Sequence, residues 1–218
     1  MTSDHTAPVD DLARVADAEQ RLFSSIRAFD DGDVRAPSLL EGWSVGHLLT
    51  HLARNADSHR RRTVAAIEGV TVDQYPGGME ERAAEIAAGA DRPATVIVED
   101  VAVSSSRMLE GWVDVPSHAW SGVTRDGGGT ERPLAQLPGR RWLEVEVHLV
   151  DLGTGPSHHD WSDAFVDAHL PELRRGMGPR LPDGVAPPAR GVLDRRDELA
   201  WLFGRLERAD LPVLGSWQ

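Results

Sequence analysis

Two short stretches far apart in the chain hold the residues whose types and spacing could do chemistry. In "GWSVGHLLTHLARNAD", His47, His51 and Asn55 recur every four residues, a spacing that lines them along one face of a helix. In "RWLEVEVHLVDLG", Glu144 and His148 have the same spacing. His51, Glu144 and His148 together offer two imidazoles and one carboxylate. That donor set suits zinc and leaves coordination positions open for water or substrate, and helical bundles build metal sites in this way from facing helices. The second stretch has a competing reading. Leu143, Val145, Val147 and Leu149 alternate with Glu144, Glu146 and His148, the period of a half-buried strand. A strand would leave the three polar residues on an exposed face with no chemistry. The residues themselves leave both readings open.

The chain contains nine histidines and no cysteine. There is therefore no disulfide framework, no thiolate-ligated zinc and no protein thiol to act as nucleophile. Any thiol chemistry needs a thiol from outside. The formal net charge is −12 over 218 residues, which argues against nucleic acid as a partner, since that needs a basic face. The start, "MTSDHTAPVD", has no apolar signal region and no run approaches the length of a membrane span, so the expected location is the cytoplasm, with no membrane partner.

The elements that must position these residues read as helices. Residues 8–31 carry Val9, Leu12, Val15, Leu22 and Ile26 at helical spacing, ended by the turn-forming Asp30-Asp31-Gly32-Asp33. Ser44 is the expected N-cap of a second helix running from Val45 into the sixties, with "SHRRR" as its solvated basic end. "EGVTVDQYPGG" reads as a loop, Met79–Ala90 as a third helix and Pro93–Trp112 as a fourth. "TRDGGGTERP" reads as a hairpin or exposed loop. After Gly153 the composition turns rich in glycine and proline, and a boundary is placed near residue 155. The expected organisation is a bundle domain over 1–154 and a small α/β unit over 155–218, marginal in size alone.

Several residues have plain structural readings beside functional ones. Asn55 and Asp57 are candidates to orient His51, but Asp57 is equally placed to pair with Arg61. His47 is assigned to the core or to support of the site rather than to ligation. His158 and His159 sit in a Gly/Pro loop and are expected to be exposed. Trp43, Trp142 and Trp201 are assigned to packing. Tyr75, the sole tyrosine, is a surface aromatic or lines an entrance.

"GWSVGHLLTHLARNAD", "QYPGGMEERAAEIAAGADRP" and "RWLEVEVHLVDLG" resemble the mycothiol-dependent maleylpyruvate isomerases of actinobacteria, within the wider DinB-like group of metal-binding four-helix bundles. The resemblance spans about residues 10–165, with a weaker match in "ELAWLFGRLERADLPVLGSW". It implies a mainly α protein, a DinB-like four-helix bundle followed by a small α/β C-terminal domain, and a helix over 141–152 against the alternation. It also implies that the metal ligands fall on His51, Glu144 and His148.

The resemblance further implies that mycothiol supplies the missing thiol. Maleylpyruvate carries a conjugated cis double bond; thiolate addition makes it a rotatable single bond, and elimination returns trans fumarylpyruvate. Zinc would stabilise the thiolate, although nickel, cobalt or iron also suit such ligands. The developing enolate and the substrate carboxylates call for cations nearby, and arginine clamps carboxylates bidentately. Arg205 matches an arginine of the family's C-terminal domain linked to activity, Arg82 is a second catalytic candidate, and Arg54, Asn55 and Tyr75 are candidates for thiol binding. The expected setting is the gentisate branch of aromatic degradation, with a small-molecule substrate and a monomer or weak homodimer. Two alternatives keep the fold: a mycothiol S-transferase acting on another electrophile, and a non-catalytic metal-binding sensor.

Overall fold

The computed structural model describes residues 6–215. The chain divides into two compact units, Met1–Leu152 and Gly153–Gln218. The first holds α1 (Val9–Ile26), α2 (Asp31–Arg35), α3 (Val45–Ile67), α4 (Gly78–Ala90), α5 (Ala94–Val113), the strands β1 (Val123–Arg125) and β2 (Glu131–Pro133), and α6 (Leu137–Asp151). Helix α3 packs on α5, α4 and α6, while α1 packs on α6 and α5. Leu22, Ile26, Leu48, Leu49, Leu52, Ile97, Met108, Trp112 and Val145 fill the interior between them.

Local chemistry explains the boundaries. Ser44 caps α3 as the sequence predicts: its Oγ accepts from the His47 backbone N–H, and the His47 side chain accepts from the Ser44 N–H, two orphan donors satisfied reciprocally. The run Asp30–Asp33 does more than end α1. Asp30 caps the short α2, accepting from the Gly32 and Asp33 N–H groups. "TRDGGGTERP" is the expected hairpin, with Thr124 opposite Arg132 and Asp126 Oδ1 accepting from the Gly128 and Thr130 N–H groups across the turn.

The segment around residue 144 is helical. The alternation misleads because no side of α6 is a solvent face along its length: Val145, Val147 and Leu149 are buried, and so are Arg141, Glu146, His148 and Asp151. A helix enclosed on all sides carries no amphipathic stripe. Its polar residues are held by partners instead. Glu146 pairs with Arg21 and accepts from Trp142 Nε1. Pro138 sits in the first turn, where a missing N–H is harmless.

The "SHRRR" stretch departs from expectation. Helix α3 continues to Ile67, so its inner face recurs through this region. Arg60 and Arg61 are exposed, but Ser58, His59 and Arg62 are buried.

The second unit contains α7 (Asp163–Arg175), capped by Ser162, and α8 (Arg195–Leu202), capped by Asp194. Trp161, Phe165 and Phe203 form its aromatic centre, with Trp161 5.3 Å and 5.7 Å from the other two rings. No strand occurs among its described residues, where the sequence led us to expect an α/β unit. Pro182, Pro187 and Pro188 between the helices withhold backbone donors from any ladder. No described helix is long and apolar enough to cross a membrane.

Candidate metal centre

Helices α3 and α6 bring His51, Glu144 and His148 together. Glu144 Oε2 lies 3.2 Å from His51 Nε2 and 3.3 Å from His148 Nε2. The two imidazole rings stand edge to face with centroids 5.0 Å apart. His51 and His148 are buried, and the Glu144 side chain keeps 20% exposure. Three donor atoms from three residues converge within 4.8 Å of one another, so a single divalent ion fits among them without rearrangement of the helices.

The surroundings fix the rings differently. His148 Nδ1 lies 2.8 Å from the fully buried Asp151 carboxylate one turn on. That carboxylate accepts the Nδ1–H bond, so the proton the ring gives up to bind a metal is the one on Nε2, which faces Glu144, the usual arrangement behind a metal-ligating histidine. On the other ring, Arg82 Nη2 lies 2.9 Å from His51 Nδ1. Trp43 packs edge-on against His51 at 5.7 Å.

Electrostatics follow the same division. Burial pulls His51 down to about 4, more than its contact with Glu144 can restore. Burial also opposes charge on His148, yet Asp151 and Glu144 outweigh it and leave that imidazole raised. For Glu144 burial favours the neutral acid, but hydrogen bonds to His148 and His51 win and hold the carboxyl well below its usual range. The cluster is thus a carboxylate between a neutral ring and a more basic one, a donor set suited to a divalent cation with N/O preference.

The remaining sequence candidates are placed as follows. Arg82 reaches His51 from α4 and lies over the Tyr75 ring at 5.3 Å, so Tyr75 lies beside the cluster's arginine. Arg54 pairs with Asp57 at 3.2 Å and Asp100 at 2.5 Å. Asp57 therefore meets Arg54, and Arg61 donates to the Gln74 carbonyl instead. Asn55 Oδ1 accepts from Arg141 Nη1 at 2.9 Å. Among the described residues neither Arg54 nor Asn55 bonds to the cluster; both are committed to holding helices together. His47 serves the α3 cap. Arg205 belongs to the second unit, where its Nη1 donates to the Phe203 carbonyl. In that unit His158 is half-buried and bonds to Asp197 at 2.9 Å, and only His159 is exposed.

Sequence reasoning missed Asp151, although its signal was present: "HLVD" places an acid three residues after His148, on the same face. It also missed the fully buried Arg141, whose Nε donates to Glu19 at 2.7 Å and whose Nη1 donates to the Leu52 carbonyl at 2.8 Å. This pair ties α1, α3 and α6 one layer from the cluster. Glu19 looks like any exposed acid in the sequence, and nothing local marks it.

Residues 15–153 match the family model described as the mycothiol maleylpyruvate isomerase N-terminal domain. No curated protein matches the chain. Among solved structures, a crystal structure of a mycothiol-dependent maleylpyruvate isomerase matches with a TM-score of 0.83 and 21% identity, covering 100% of both chains. A histidine-to-alanine mutant of a mycothiol-dependent maleylpyruvate isomerase matches with a TM-score of 0.84 at 21% identity, again over 100% of both chains. At that identity the likeness establishes the fold.

Proposed function

The chain belongs to the mycothiol maleylpyruvate isomerase family, and from that premise we propose that it isomerises maleylpyruvate to fumarylpyruvate, using mycothiol and a divalent ion held by His51, Glu144 and His148. The observation that carries the reading is the convergence of those three donors, backed by Asp151, in a chain with no thiol of its own. Bound metal and external thiol would together supply a stabilised thiolate, the nucleophile needed to open a conjugated cis double bond to rotation.

The chain's own residues do the rest. Asp151 holds the His148 ring and its proton in place, so Nε2 stays available. Glu144 contributes a fixed negative charge shared between both imidazoles. The buried positions of His51 and His148 keep bulk water from competing for the site. Arg82, one hydrogen bond from His51, supplies the nearest described cation for a substrate carboxylate or a developing enolate. Arg205 is assigned a second cationic role and Tyr75 a place beside the thiol. Arg54 and Asn55 have partners that favour a structural role over the thiol-binding one. Among divalent ions zinc fits the donor types best. We place the activity in the cytoplasm, in the gentisate branch of aromatic degradation, in a monomer or weak homodimer.

The test is an assay of purified, zinc-loaded protein with mycothiol and maleylpyruvate, following substrate and product chromatographically. Fumarylpyruvate should form catalytically only when the thiol is present, with the thiol returned unconsumed. Absence of turnover with metal and thiol both bound overturns the assignment.

A further inference from the structure

The second unit carries a donor set of its own. His158, His159 and Asp197 each offer one ligand atom, and the three atoms lie within 4.8 Å of one another. Asp197 Oδ1 is 2.9 Å from His158 Nε2 and 3.9 Å from His159 Nδ1. Two donors bound tetrahedrally to one zinc ion at about 2.0–2.1 Å stand about 3.3–3.5 Å apart, so each separation is within about half an ångström of a bound geometry. At 3.9 Å the His159 ring is too far from Asp197 for a hydrogen bond, and no bond between these two explains its place.

Local structure explains why two neighbours in sequence can serve one ion. Ser157 caps the one-turn helix His158–Asp160, its Oγ accepting from the His159 N–H while Asp160 accepts from the Ser157 N–H. The two imidazoles are held side by side with centroids 4.1 Å apart, and the His158 ring packs against the buried Trp161 at 6.1 Å. Asp197 comes from the first turn of α8, where Asp194 accepts from the Arg196 and Asp197 N–H groups. Arg196 ties the two segments together, its Nε donating to the Trp161 carbonyl at 2.8 Å.

Charge at this place favours a cation. A helix N-terminus repels one, but the Arg196 and Asp197 N–H groups of α8 are turned to Asp194. Asp160 and Asp194 lie within electrostatic reach of the histidines and add negative charge around them. The nearby guanidinium groups are engaged elsewhere. Arg208, within reach of Asp197, is bonded to both oxygens of Asp210, and Arg196 is bonded to Asp163. The His159 side chain is 62% exposed, so an ion from solution reaches the three donors without disturbing the core.

We infer that His158, His159 and Asp197 form a second site for a divalent transition metal of the zinc class, which staples the start of the second unit to α8. Two imidazoles and a carboxylate suit such an ion, with water completing its shell. The tie spans the 39 positions between His158 and Asp197. In a unit this small, with no cysteine for a disulfide, a metal tie supplements a limited core. The site shares no residue with the α3–α6 centre and does not depend on the isomerase reading.

The test titrates chelator-stripped full-length protein calorimetrically with zinc. Wild type is compared with His159→Gln, Asp197→Asn and Glu144→Ala, and His118→Gln serves as a control for a lone exposed histidine. His159→Gln alters an exposed ring and Asp197→Asn keeps the side chain's size; circular dichroism checks that both are folded. Wild type should take up a second equivalent of zinc, which His159→Gln and Asp197→Asn lose or bind at least about 100-fold more weakly. His118→Gln should keep it. In Glu144→Ala the remaining equivalent should raise Tm by about 5–10 °C at a hundred-fold excess of zinc over Kd, and adding His159→Gln should abolish the rise. Undiminished uptake in His159→Gln and Asp197→Asn, or bound zinc that leaves Tm unchanged, overturns the inference. If Glu144→Ala costs no equivalent while His159→Gln does, the α3–α6 centre falls and this site stands.

Discussion

Arg82 Nη2 stands 2.9 Å from His51 Nδ1, and because a guanidinium only donates, that ring nitrogen is the acceptor. The ring proton of neutral His51 is then on Nε2, facing Glu144. His148 is set the opposite way, with Nδ1 donating to Asp151. A metal ion needs a bare Nε2 on both rings. Binding therefore requires His51 to change tautomer and Arg82 to let go of it, which frees the guanidinium for a substrate.

Arg82→Ala should accordingly tighten metal binding while slowing turnover. It removes both the competitor for His51 and a nearby positive charge, and a gain on the order of tenfold in affinity is expected. Competition with a chromogenic chelator reads this directly. Weaker binding in the variant contradicts the picture of Arg82 as a competitor.

Asp151→Asn should weaken metal binding about 10- to 100-fold, since the partner of a ligating histidine fixes its tautomer and basicity. The helix itself should remain folded, because asparagine still fits the buried volume. Circular dichroism and chelator competition on one sample separate the two effects.

Acid should destabilise the metal-free protein in a defined window. Burial lowers His51 to about 4, and burial with the Arg62 and Arg141 charges lowers His59 well below its usual 6.5. Their stabilising contributions are complete above 6.5 and are lost as pH falls toward 4, because the unfolded chain binds protons the folded one refuses. His148 is raised and has the opposite sign: its contribution is present below 6.5 and lost as pH rises through its folded value. Below 6.5 His148 is protonated in both states and offsets nothing, so the two lowered groups together give a slope approaching about 2.7 kcal/mol per pH unit. Urea titrations from pH 6.5 to 4.5 should show falling stability, and His59→Gln should flatten the decline. An unchanged slope in that variant contradicts the assignment of His59 as a buried neutral imidazole.

The Glu19–Arg141 pair predicts a stability effect far from any ligand. Glu19→Ala leaves a fully buried guanidinium without its acid and should cost about 3–5 kcal/mol. Glu19→Leu combined with Arg141→Met should recover much of that loss, since replacing both partners with apolar groups removes the desolvation penalty as well. Chemical denaturation of the single and double variants decides it.

How far the sequence was legible depends on where each signal resides. The α3 cap was readable because Ser44 and His47 are three residues apart and satisfy each other locally. The hairpin was readable from its glycines. The metal candidates were readable as residue types, but their meeting was implied only by the family resemblance, because alternation in 143–149 left a strand equally open. That pattern failed since Glu146 and His148 are buried with partners rather than facing water. Arg62 was misread as part of a solvated basic run for a related reason. Among three consecutive arginines only the helix phase, fixed by tertiary packing, distinguishes the buried one from its exposed neighbours. Glu19 and Arg141 meet across 122 positions, and no local pattern encodes that.

The central claim is most directly tested by metal stoichiometry. Apo protein titrated calorimetrically with zinc should bind one equivalent at this centre, and Glu144→Ala and His148→Ala should each lose that event while remaining folded. Full, undiminished binding in both variants would contradict the account, because the ion would then be held by other residues.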